Sequence, residues 1–178
     1  MSESDLDVKQ GKKQSLSLKA RALRLLSMRE YSRKGLEAKL TESAAKMFKS
    51  SSELLEGEGI PAAKTLSIQI EEVLDDFEAR GWLSDQRFAQ SLVRRRSERF
   101  GARKIQDELE RAGVDARESA ELIKSLKETE FQRAQDLWQR KFGVVAQEQK
   151  ERARQYRFLA SKGFSSDVVS RVVAGRSA

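Results

Sequence analysis

Residues 78–85 read EARGWLSD: the end of a helical run, a glycine, apolar residues, and then a serine–aspartate pair. That order has a physical meaning. Glycine just past a helix takes the left-handed conformation that a Cβ disfavours, and the apolar residue after it folds back on the helix just ended. A serine or aspartate then accepts hydrogen bonds from the free amides of a new helix. The same order returns in ERAGVDAR (110–117) and ASKGFSSD (160–167). Gly81, Gly113 and Gly163 therefore mark three helix ends, each with a short turn into another helix.

A second marker is an aromatic residue followed by a small one: Tyr31-Ser32, Phe100-Gly101 and Phe142-Gly143. Laying YSRKGLEAKL (31–40) on FGARKIQDEL (100–109) pairs Tyr31 with Phe100, Leu36 with Ile105 and Leu40 with Leu109. The two markers divide the chain into three units of three helices. A flexible polar tail (1–15) precedes unit one (16–82), in which the serine- and glycine-bearing stretch 46–64 reads as an inserted loop. Unit two is 83–128 and unit three 129–178. Units this small stack on their neighbours to bury their apolar faces. The expected fold is all-α: three tandem three-helix repeats forming an elongated, curved array. The competing arrangement is a single nine-helix globule with generic caps.

Composition agrees. The 178 residues are 38% hydrophobic and 35% charged, with ten glycines and one proline, too little turn punctuation for an all-β protein. There is no cysteine and no histidine, which excludes disulfides, thiolate metal sites, and nucleophile–histidine catalysis. The acidic group Glu71, Glu72, Asp75, Asp76 and Glu78 winds around a helix and reads as a solvated face rather than a metal site. Neither an enzyme nor a cofactor is expected. No apolar run is long enough to span a membrane, and the polar N-terminus lacks a signal core, so the expected location is the cytoplasm.

The net charge of +7 points to an acidic or polyanionic partner. It concentrates in FAQSLVRRRSERFGARK (88–104) and its flank, where Glu98 is the sole acid among seven basic residues from Arg87 to Lys104. On a helix running from Ser84 to Phe100, Phe88, Ala89, Leu92, Val93 and Phe100 share one face, and Arg96 falls within it. Arg96 is therefore expected in the packing, its stem against apolar neighbours and its guanidinium on a carboxylate or carbonyl. Arg94, Arg95 and Arg99, with Arg103 and Lys104 of the next helix, form a candidate basic edge for phosphate or carboxylate contacts. Comparable clusters are Arg33 and Lys34 in unit one and Arg140, Lys141 and Arg152 in unit three. Phe100, Gly81, Gly113 and Gly163 are candidate structural positions. Trp82 and Trp138 read as packing residues, not stacking platforms.

The stretch GWLSDQRFAQSLVRRRSERFGARKIQDELERAGVD (81–115) resembles the RecX family; RALRLLSMREYSRKGLEAKL (21–40) resembles that family's first repeat, and RFLASKGFSSDVVSRVV (157–173) its end. The resemblance implies a non-catalytic, monomeric, cytoplasmic regulator of the RecA recombinase. Such a protein lies in the groove of the RecA filament on single-stranded DNA, with double-stranded DNA a secondary ligand, and inhibits ATP hydrolysis and strand exchange or promotes disassembly. A helix-turn-helix regulator that uses 102–112 as recognition helix is the main alternative, although Asp107, Glu108 and Glu110 on that helix oppose phosphates. A generic helical scaffold is a third reading.

Overall fold

The computed structural model describes residues 17–52 and 63–176; the tail 1–15 and residues 53–62 of the expected loop lie outside the described residues. Among these residues there are nine helices and no strand: α1 (Leu18–Met28), α2 (Arg33–Ser52), α3 (Ala63–Ala79), α4 (Asp85–Arg96), α5 (Ala102–Arg111), α6 (Ala116–Glu128), α7 (Glu130–Lys141), α8 (Gln149–Ser161) and α9 (Ser166–Val173).

The glycine grammar sets the turns. Gly81, Gly113 and Gly163 all have positive φ, at 69°, 82° and 85°. After Gly81 the amide of Trp82 reaches back to the carbonyl of Phe77, and after Gly113 that of Val114 reaches Leu109, closing the helix ends in the Schellman manner. The Ser84 hydroxyl then accepts from Arg87 N, and the Asp115 carboxylate from Arg117 N. Ser165 precedes α9 without a side-chain cap bond, so the third turn keeps the glycine but not the cap. In the first turn the residue that enters the core is Leu83, 2% exposed. Trp82 rests edge-on against Phe77 with ring centroids 5.3 Å apart.

Each successive helix triplet closes on its own core. Leu36, Leu40, Leu74 and Phe77 centre the first, Ile105 and Leu109 the second, and Leu159, Val169 and Phe164 the third. Fully burying a side chain of this size contributes about 1.5–3 kcal/mol. Three separate clusters along the chain describe an elongated array of three-helix units, not one nine-helix globule.

Two local expectations change. Residues 46–52, read as loop, continue α2: serine in a helix costs only a few tenths of a kcal/mol, and Ala44 and Ala45 just before it favour the helix. The helix drawn from Ser84 to Phe100 ends at Arg96. The amides of Arg99 and Phe100 both turn back to the Arg96 carbonyl, so the last four residues form a turn rather than a face.

Candidate functional site

The turn after α4 lies against the turn before α9. Gly101 N donates to the carbonyl of Lys162 at 3.0 Å, and a Cβ on Gly101 would stand 2.2 Å from the Gly163 carbonyl oxygen. The aromatic–small marker of unit two and the glycine marker of unit three are thus two halves of one seam. A similar seam joins units one and two. There the Ser32 hydroxyl donates to the Ala112 carbonyl at 2.7 Å, and Lys34 carries its stem against Gly113. The third marker departs: Gly143 has φ +74° and ends α7.

A carboxylate at the first helical residue of the following unit caps the helix at each seam. Asp85 accepts from Arg33 N at 2.7 Å, and Glu130, 4% exposed, accepts from Ala102 N at 2.8 Å. An arginine two or three residues on then ties the preceding unit together. Arg87 bonds Glu30 and the Trp82 carbonyl. Arg133 donates to the carbonyls of Ser97, Phe100 and Leu126 at 2.6–2.7 Å. Burial lowers the pKa of the Arg133 guanidinium, with the Glu130 charge acting against that shift.

The basic residues sort by these contacts. Arg96 is held by Glu108 at 3.0 Å and lies over the Phe100 ring at 5.0 Å, with 43% of its side chain exposed. Arg95 bonds the Ser91 carbonyl and, with Arg96, faces Arg29, Glu30 and Tyr31 of unit one across a groove of about 480 Å³. Arg94, Arg99 and Arg103 are exposed, and among the described residues no hydrogen bond or ion pair engages their side chains. The Lys104 ammonium lies 4.8 Å from the centroid of the same ring.

Arg33 leaves the open surface. Its guanidinium binds Asp75 at 2.6 Å and Glu78 at 2.5 Å, and the Asp75 hydrogen bond raises its pKa. The physical reason is that α2 packs along α3, whose acidic side supplies the counter-ions. On the same side of α3, Glu71, Glu72, Asp75 and Glu78 are exposed, and Asp76 is paired with Lys19 and Arg80. Lys34 is exposed at the first seam. Arg140 donates to the Glu98 carbonyl and Arg152 to that of Ala146, while Lys141 is exposed. Among the described residues no group of three metal-ligating side chains occurs, and no helix is long and apolar enough to cross a membrane.

The structure adds Lys162, Arg133, Glu130, Asp85 and Arg87, which the reading of basic runs passed over. Lys162 lies over both Phe100, at 5.4 Å, and Phe158, at 5.5 Å. The signal for the caps was present: Ser84-Asp85 and Thr129-Glu130 set the same hydroxyl–acid pair at the start of two units.

Comparison with known proteins gives this architecture relatives. The family model described as RecX, second three-helix domain, matches residues 84–121, and that of the third three-helix domain matches 128–173. The chain is 44% identical over 158 residues to the regulatory protein RecX of Leptothrix cholodnii, covering 89% of this chain and 88% of that one. It is 37% identical to the regulatory protein RecX of Ralstonia pickettii, covering 92% and 90%. The crystal structure of RecX from Lactobacillus salivarius shares the fold, with a TM-score of 0.61 at 20% identity over 89% of this chain and 93% of that one.

Proposed function

The chain belongs to the RecX family, and from that premise we propose that it binds the RecA–single-stranded DNA filament and inhibits ATP hydrolysis and strand exchange or promotes disassembly. It acts as a monomer, in the cytoplasm and without catalysis. The observation that carries this reading is the run of cations without protein partners, Arg94, Arg99 and Arg103, on an array whose units each keep their own core. Such a body offers one rigid surface after another to a linear partner, and a guanidinium without a counter-ion is available to phosphate or carboxylate.

The helix-turn-helix reading is weakened by the seam. A recognition helix reads bases with its N-terminal residues. Here the N-terminus of α5 is covered by unit three: Ala102 is 2% exposed and its amide is taken by Glu130.

The test is RecA ATPase on single-stranded DNA titrated with this protein. Inhibition at or below stoichiometric amounts is expected. Full ATPase activity at saturating protein overturns the proposal.

A further inference from the structure

The turn from Arg96 to Gly101 gathers positive charge from two units. Unit two supplies Arg96, Arg99 and Lys104; unit three supplies Arg133, Arg140 and Lys162. Three of the six are engaged within the protein. Arg96 has Glu108, Arg133 has three carbonyls, and Arg140 has the Glu98 carbonyl. Glu130, the nearest buried acid, is committed to the α5 amide. Among the described residues Lys104 and Lys162 have no carboxylate within ion-pair distance, and they rest on the same phenyl ring, 4.8 and 5.4 Å from its centroid. Arg99 projects from the turn itself, exposed and without a partner.

Two ammonium groups so placed lie no more than about 10 Å apart, near the screening length at 0.1 M salt. The fold enforces this placement. The Lys104 Cβ stands against Gly163, and the Lys162 carbonyl holds Gly101 N. One polyanion could contact both ammoniums and gain from each charge. Consecutive phosphates of one strand lie close enough together to reach both ammoniums at once. The Phe100 ring already has three cations within 5.4 Å of its centroid, so the contacts it offers a strand are ionic.

We propose that Lys104 and Lys162, with Arg99, form a binding site for the sugar-phosphate backbone of single-stranded DNA that bridges units two and three. The proposal deepens the functional reading above by naming the surface and ligand chemistry. Contact there is independent of base sequence. Because the two lysines belong to different units, an occupied site fixes the seam in the geometry described here.

The experiment measures binding of a fluorescent oligothymidylate to the protein alone, without RecA, across a salt series. Lys104→Gln/Lys162→Gln is compared with Lys124→Gln/Lys127→Gln, an equal charge change on exposed positions of α6. The slope of log affinity against log salt should fall by about 0.7 for each lysine lost at the seam, and fall less for the α6 pair. Lys104→Arg/Lys162→Arg should keep the wild-type slope. Equal losses in both glutamine pairs, loss in the arginine pair, or no measurable binding overturns the site. Hydrogen exchange at the Gly101 amide should slow when the oligonucleotide binds, and unchanged exchange overturns the bridging. Unimpaired ATPase inhibition alongside any of those failures would leave the proposed function standing.

Discussion

The Ser32 hydroxyl donates to the carbonyl oxygen of Ala112 at 2.7 Å, across 80 residues of sequence and between two units. The same hydroxyl accepts from Gly35 N at 3.0 Å, so one buried side chain both starts α2 and secures the next unit's turn. Ser32→Ala removes both contacts and leaves the carbonyl and amide short of a partner. Such losses cost about 1–3 kcal/mol, to be read as a lower denaturation midpoint. An unchanged midpoint would show that water replaces the hydroxyl.

Alanine at three glycines should give a graded series. At Gly81 the positive φ alone is penalised, because nothing lies within 4 Å of the added Cβ; the expected loss is about 1–2 kcal/mol. Gly163→Ala adds a contact at 2.5 Å with the Lys104 Cβ to the same strain, and Gly101→Ala drives a Cβ into backbone. Overpacking of that kind costs about 1–3 kcal/mol, and at Gly101 it should separate units two and three. Chemical denaturation and small-angle scattering check both effects; equal losses at Gly81 and Gly163 would contradict the ranking.

Glu130→Ala should destabilise by about 1–3 kcal/mol, because it strips a buried amide of its acceptor and removes a charge beside Arg133. Arg133→Lys should be nearly as damaging as Arg133→Ala, since one ammonium cannot reproduce a planar fork spread over three carbonyls. A fully stable lysine variant would refute that account.

Arg96→Ala should lower stability by about 0.5–1 kcal/mol, the range of a partly exposed ion pair. A double-mutant cycle with Glu108→Ala should recover most of it as coupling. Arg94→Ala and Arg99→Ala should leave melting within about 0.5 kcal/mol of wild type, and loss of stability there would place those side chains in unrecognised contacts.

The Glu42 carboxylate accepts from Lys39 at 2.8 Å and from Lys46 at 2.7 Å. These hydrogen bonds hold its pKa well below the ordinary 4.5, at about 2. A depressed acid stabilises the folded chain above its unfolded pKa and loses that contribution as pH falls through the folded value. The effect is therefore present at neutral pH and disappears between about 4.5 and 2. Carboxyl carbon shifts in a pH titration should give a midpoint near 2 for Glu42. A midpoint near 4.5 would mean the two lysines are not engaged in solution.

Much of this fold was legible because its signals are local. A glycine past a helix, the apolar residue behind it, and the stripe that carries Leu36, Leu40, Ile105 and Leu109 each need only a few neighbours to interpret. The seams were not legible. Gly101 meets Gly163 through backbone atoms, which no side-chain pattern reports, so the two markers looked like independent punctuation. Charge density alone also ranked Arg33 with Arg99, although one is neutralised by a distant helix and the other is not. Lys162 escaped notice because it stands alone in sequence and joins its cluster only through the fold.

Separate cores tied by turn-to-turn bonds also set where the molecule yields under load. A packed interior resists deformation because every displacement disturbs many contacts at once. A seam formed by a glycine amide, a serine hydroxyl and a capping carboxylate can rotate by lengthening a few bonds. The joins between units lie at Ser32–Ala112 and Gly101–Lys162. Each unit keeps its own interior, so losing one of these joins would loosen the array without emptying a core.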